Sequence, residues 1–172
     1  MIQGFPPISA TDARCLILGS MPGTSSLQAT QYYAHPRNQF WPIMLELLHG
    51  RRDWDYPQRC QMLRQHGIAL WDVVHRCQRQ GSLDAAIQTN SMIINDFDTF
   101  FGAHPGIELI CFNGSTAASY FRRWVKPQRI RNFRYLQLPS TSPAHAALNL
   151  NAKLEQWQQL TRWLNATPDH AE

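Results

Sequence analysis

Lysine is almost missing from this chain. Of its 16 basic residues only Lys126 and Lys153 are lysine, and the rest are arginine. Charge is scarce altogether, at 16% of 172 residues, while 44% are hydrophobic, a balance that excludes a disordered polymer. Long apolar runs are missing too. None approaches the ~18 residues of a membrane span, so no membrane association is expected. The start, Met1-Ile2-Gln3-Gly4-Phe5-Pro6-Pro7, has neither the basic segment nor the apolar core of a secretory leader. A cytoplasmic location is therefore expected. The four cysteines, Cys15, Cys60, Cys77 and Cys111, form no C-x-x-C pair, which argues against an iron–sulfur or zinc site. No His, Cys or Asp cluster has ligand spacing, so neither metal nor cofactor is expected. A Gly-x-Ser-x-Gly elbow is also lacking, which excludes the usual serine hydrolase signature. With no internal repeat or linker, residues 1–172 read as one domain with its core over about 14–165.

What is present concentrates between Leu16 and Trp41. The apolar run Cys15–Leu18 leads into Gly19-Ser20-Met21-Pro22-Gly23-Thr24-Ser25-Ser26. A short buried strand followed by a Gly- and Ser-rich turn suits close approach to a ligand or anion. A tight turn without a ligand fits the same pattern. Tyr32-Tyr33-Ala34-His35-Pro36-Arg37-Asn38-Gln39-Phe40-Trp41 follows. Loops normally face water, and one this rich in aromatic faces is a platform for flat heterocycles.

Gly19-Ser20-Met21-Pro22-Gly23, then Tyr33-Ala34-His35-Pro36 and Asn38-Gln39-Phe40-Trp41, resembles the first motif of the uracil-DNA glycosylase superfamily. The likeness is greatest to its hypoxanthine-DNA glycosylases and to its mismatch-specific uracil/thymine branch. Pro139-Ser140-Thr141-Ser142-Pro143-Ala144-His145 is similar to the second motif. The resemblance implies a monomeric DNA repair enzyme that starts base excision by hydrolysing the N-glycosyl bond of a deaminated base, hypoxanthine first and uracil second. Neither motif loop holds a lysine, so a monofunctional enzyme without Schiff-base lyase chemistry is expected. The other reading is a non-catalytic α/β module that binds nucleotides or nucleic acid through the glycine loop.

Apolar strand-like runs at 14–18, 68–71, 108–112 and 133–138 alternate with helical periodicity at 38–48, 56–65, 96–103, 116–125 and 150–165. Residues 78–95 read as loop with one helical turn near 82–87, and Asn95 as the cap of the helix at 96. This alternation predicts an α/β fold, a central four-stranded parallel sheet sandwiched between helical layers. Ligands of such sheets bind beyond the carboxyl ends of the strands, where the loops 19–37, 71–77, 113–115 and 139–148 fall.

A glycosylase must flip out the nucleotide, read the base, place a water near C1′ and stabilise the departing base. The resemblance assigns the water to Asn38, since Met21 occupies the middle of the first motif, where the mismatch-specific branch has Asn. Asn38 also reads as the N-cap of the next helix. Tyr33 stands where relatives stack an aromatic on the base, or else it packs on Trp41. Backbone N–H groups from Ser20 through Met21 and Pro22 to Gly23 border the expected base site; Pro22 itself has none. Asp72 stands where several relatives read the base with Asn; an ionised carboxylate there would only accept and would repel an anionic base. Asn113 is a second candidate reader or a turn residue. Ser140, Ser142, Pro143, Ala144 and His145 are candidate DNA contacts. So are Arg129 and Arg131, part of a stripe from Arg122 to Arg134 that carries six cations and no acid.

Overall fold

Cys15–Gly19 is buried at every position, which a strand achieves only when both of its faces are covered. The computed structural model describes residues 1–126 and 131–166. Its elements in chain order are β1 (Ile2–Gln3), β2 (Cys15–Gly19), α1 (Thr24–Ala29), α2 (Phe40–Leu47), α3 (Tyr56–Gln65), β3 (Ile68–Asp72), β4 (Val74–Arg79), β5 (Ile87–Ile94), α4 (Phe97–Ala103), β6 (Leu109–Asn113), α5 (Ser115–Trp124), β7 (Arg134–Leu138) and α6 (Leu150–Asn165). Four strands form a parallel sheet in the order β3-β2-β6-β7.

Alternate side chains of a strand face opposite ways, and β2 uses both. Cys15 and Ile17 share a core with Phe40, Met44, Leu63 and Trp157 of α2, α3 and α6. Leu16 and Leu18 share another with Phe97, Phe101, Ala118 and Phe121 of α4 and α5. The three expected layers are therefore present. All four cysteines are free and buried. No helix among the described residues is long and apolar enough to cross a membrane.

Three local readings need correction. Residues 78–95 are not mostly loop: β4 and β5 pair antiparallel and, with β1, make a second, three-stranded sheet. Register shifts between Val74 and Gln78, and the exposed Gln88, Thr89 and Asn90, remove the clean alternation that would have marked a hairpin. Asp96, not Asn95, caps α4, its carboxylate accepting from Thr99 N at 3.0 Å. The Asn95 amide instead donates to the Asp72 carbonyl at 2.8 Å. The long first loop also contains the short helix α1.

Candidate active site at the carboxyl edge of the sheet

Because the four strands are parallel, their last residues meet at one edge; Gly19 is the register partner of Asp72, and Asn113 of Leu138. A cavity of about 670 Å³ opens there. Its first wall is the motif-one backbone of Ser20, Met21, Pro22 and Gly23, with Tyr33 and Asn38. Asp72 and Asn113 line it from the strand ends. Ser140, Ser142, Pro143, Ala144 and His145 supply another wall.

The inner end is unusual. Asp72 is only 4% exposed, and its Oδ2 is buried without a hydrogen-bond partner. Tyr33 Oη is likewise buried and unpartnered. Both come so close to Gly19 that a Cβ there would collide with Asp72 Oδ1 and stand 2.9 Å from Tyr33 Oη. Burial pushes the Asp72 carboxyl up to about 7; the nearby Asp84 carboxylate adds to this and the Arg79 guanidinium opposes it. Burial, then the charge of Asp72, also raises the Tyr33 hydroxyl against the opposing pull of the Asn113 amide close beside it, so it stays a proton donor. Unpaired buried polar atoms are costly. Two at the end of one cavity mark a place built for a polar ligand edge.

Tyr33 holds a left-handed backbone, φ 54°, which is rare for an aromatic. Its neighbours fix it. Ala34 N donates to Ser26 Oγ at 3.1 Å, Tyr32 N to Tyr56 Oη at 3.1 Å, and Trp41 Nε1 to Tyr32 O at 2.8 Å. The ring stacks on Phe40, not Trp41, with centroids 4.2 Å apart. One ring face is thus taken by Phe40. We expect Tyr33→Ala to weaken binding of a flipped base by about 1–3 kcal/mol, the range of base–aromatic stacking. Tyr33→Phe, measured in the same fluorescence titration, should lose a smaller part. Equal losses would assign the whole effect to the hydroxyl.

Asn38 Oδ1 accepts from Phe40 N at 3.0 Å. Gln39, not Asn38, is the N-cap of α2; the Asn38 amide receives the first helical N–H from one residue further out. The bond also fixes the direction of the side chain while Oδ1 keeps a second lone pair. Gln39 N donates to Thr141 O at 3.0 Å, tying the two motifs together. Met21 is buried against Val74, Cys77 and Ile87 of the hairpin, so the middle of motif one serves a small core.

The second motif is held from three sides. Asn113 Nδ2 donates to Thr141 Oγ1 and Asn113 Oδ1 accepts from Thr141 N, both at 2.9 Å. Both ends of that amide are thus engaged in positioning the loop. Trp157 Nε1 donates to Pro139 O at 3.0 Å. Lys153, 2% exposed, donates from Nζ to His145 O at 2.8 Å, and burial lowers its ammonium pKa. Inside the loop, Ser140 Oγ accepts from Ser142 N and Ser142 Oγ from Ala144 N, each at 3.2 Å.

Sequence reasoning missed the hairpin's contribution. Ser20 Oγ donates to Asp84 Oδ1 at 2.6 Å, and Arg79 Nη2 donates to Pro22 O at 2.6 Å. Asp84 lines the cavity. No local pattern around Ser82-Leu83-Asp84 announces this; only the fold brings residues 64 positions apart together.

Arg131 is not brought to the cavity: its guanidinium donates to Phe101 O at 2.7 Å and His104 O at 3.2 Å, at the end of α4. The reason is topological. Helix α5 begins beside the cavity and runs back ~15 Å, so β7 starts with Arg134 at the opposite sheet edge. Arg129 lies outside the described residues. Arg131→Ala should cost about 1–3 kcal/mol of stability in chemical denaturation, from loss of charged bonds to carbonyls. It should leave the salt dependence of DNA binding unchanged.

Among the described residues no three His, Cys, Asp or Glu side chains gather as a metal site. Comparison with known proteins fits this geometry. A family model described as the uracil DNA glycosylase superfamily matches residues 6–163. A hypoxanthine DNA glycosylase of Methanosarcina acetivorans is 33% identical over 162 residues, covering 93% of this chain and 98% of that one. A hypoxanthine DNA glycosylase of Methanosarcina barkeri is 35% identical over 119 residues, 69% of this chain and 74% of the relative. A Methanosarcina acetivorans protein solved by solution NMR, proposed there as a uracil DNA glycosylase, superposes with a TM-score of 0.78 at 32% identity, covering 95% of this chain and 98% of that one.

Proposed function

The chain belongs to the uracil DNA glycosylase superfamily, and we propose that it releases hypoxanthine first and uracil second from DNA, with Asn38 holding the attacking water. It is a DNA repair glycosylase, a hydrolase of N-glycosyl bonds. Water adds at C1′ as the C1′–N bond breaks, and the electron pair leaves with the base. The water's proton is lost to the departing base or to solvent, giving a free base and an abasic sugar. Asn38 orients the water through Oδ1 without ionising. Tyr33 stacks on the base. The backbone from Ser20 to Gly23 borders it, Ser140 and Ser142 donate to DNA phosphates, and Pro143, Ala144 and His145 face the duplex.

The observation that carries the base assignment is Asp72 Oδ2, buried at the end of the cavity without a partner. Hypoxanthine presents N1–H beside C6=O, and uracil presents N3–H beside a carbonyl. A neutral carboxyl matches that edge with two hydrogen bonds, its O–H donating to the carbonyl and its C=O accepting from N–H. The donor to the carbonyl strengthens as negative charge grows on the leaving base. The relatives' hypoxanthine activity supports putting that base first.

Duplexes and single strands carrying one deoxyinosine or one deoxyuridine, treated with protein and then alkali, test this. Strand breaks at deoxyinosine forming faster than at deoxyuridine are expected. The reverse order would overturn the base preference. No breaks from a protein that binds DNA would return the reading of a non-catalytic nucleic-acid-binding module.

A further inference from the structure

We infer that a groove beside the base cavity holds the nucleotide next to the target when the strand is unpaired, with its base on an apolar floor and its phosphate against Arg52 and Arg59. The inference rests on the reading that the target base enters the cavity at the sheet edge. The groove encloses about 680 Å³, within the roughly 300–1,000 Å³ of pockets that take drug-sized ligands. Tyr33, His35 and Asn38 line it and the base cavity alike. A strand with its target base in the cavity therefore meets this groove as the next hollow on one side.

Three helices build the floor. Trp41 comes from α2, Tyr56 from α3, and Leu150 and Leu154 from α6. Trp41 and Tyr56 meet edge to face with centroids 5.8 Å apart, and the Tyr56 hydroxyl already accepts from Tyr32 N at 3.1 Å. Leu150 is 40% exposed. One exposed leucine carries no meaning by itself, but beside aromatic rings it offers a surface on which any base can stack. The charge at the rim selects the occupant. Arg59 Nε is anchored to Trp54 O at 3.0 Å. Neither Arg52 nor Arg59 is paired with an acid among the described residues; the neighbouring ion pair joins Arg51 to Asp53 at 3.0 Å. Glu46 is the one acid that lines the groove, so two guanidinium groups face one carboxylate. An apolar floor under a cationic rim fits a flat base carrying a phosphate. It fits an acidic peptide less well, since such a peptide has no flat face to stack. In a paired duplex the neighbouring base stays in its own stack, so only an unpaired strand can fill the floor.

The test uses the full chain and single strands carrying whichever of deoxyinosine or deoxyuridine the wild-type protein cleaves. Single-turnover rates at rising protein concentration give a half-saturation concentration and a limiting rate. Arg52→Ala should raise the half-saturation concentration about threefold or more at low salt and flatten its salt slope by roughly 0.7, one phosphate contact on a single strand. The limiting rate should stay within about twofold, because a contact equal in the ground and transition states moves only binding; that rate is also the check on folding. Glu46→Gln should act in the opposite direction and tighten binding, since it removes the carboxylate that opposes the phosphate. Leu150→Gln should weaken binding when the flanking nucleotide carries a base, and have no effect when that nucleotide is abasic or the strand is paired. Shortening the strand to the target nucleotide on one side, and not on the other, should cancel all three effects. An unchanged salt slope in Arg52→Ala, a Glu46→Gln protein that binds no tighter, or effects that survive both truncations would overturn the proposal. A wild-type protein that cuts neither strand would instead remove the glycosylase reading, and the proposal with it.

Discussion

Asn38→Ala should lower the single-turnover rate of base release by about 10²-fold or more, the loss expected when a group that positions a reactant is removed. The argument rests on geometry. Phe40 N holds Asn38 Oδ1 at 3.0 Å, so the amide faces the cavity in one orientation. Water bound to the other lone pair inherits that orientation. Met21, buried under the hairpin, offers no substitute. The same change removes a hydrogen bond at the start of α2, worth about 1 kcal/mol, and a lower melting temperature should accompany it. DNA affinity, read by anisotropy, should change little because no charge is lost. A folded Asn38→Ala protein that turns over normally would exclude Asn38 from the chemistry.

Asp72→Asn should keep activity at neutral pH and lose the alkaline decline that wild type is expected to show. Two carboxyls and one guanidinium share this region, those of Asp72, Asp84 and Arg79, with the Tyr33 hydroxyl beside them. Burial and Asp84 hold the Asp72 proton up to about 7. A neutral Asp72 can donate to the base carbonyl; an ionised one cannot, and it repels an anionic leaving group. Wild-type kcat/KM should therefore fall as pH climbs through about 7, approaching tenfold per unit. Asparagine keeps one donor and one acceptor and has no proton to lose, so its profile should stay flat. Wild-type activity that rises above pH 7, with an inactive Asp72→Asn protein, would mean that the carboxylate is the working form.

Stability gives the same residue an independent readout. Below about pH 4 Asp72 is protonated in both the folded and unfolded chains. As pH rises from about 4 to about 7 the unfolded chain ionises while the folded one holds its proton, so the folded state loses ground. Above about 7 both are ionised and the penalty is constant. Asp72→Asn escapes this penalty. Its melting temperature should gain on wild type between pH 4 and 7, by an amount reflecting a few kcal/mol. A constant difference across that range would show that the Asp72 proton is not linked to folding.

The sheet could be read from composition and order alone. Four apolar runs separated by helical patterns leave few arrangements, because a strand buried on both faces needs helices above and below it. The loops that carry Gly19–Gly23, Asn38 and Ser140–His145 therefore had to meet at one edge. Hydrophobic periodicity is a local property, and so are those boundaries. The β4–β5 hairpin was not readable, since its strands are bulged, bury only Val74, Cys77 and Ile87 fully, and show no clean alternation.

Other features are distances between residues far apart in the chain, which no local pattern encodes. Asp84 reaches Ser20 across 64 positions, and Asn113 clamps Thr141 across 28. The Asp72 proton follows from burial, a property of everything packed around it. The arginine stripe is the plainest case. In sequence it runs into the strand before the second motif. In space Arg131 and Arg134 lie across the sheet from the cavity, because parallel strands oblige every connection to travel back to the far edge before the next strand can begin.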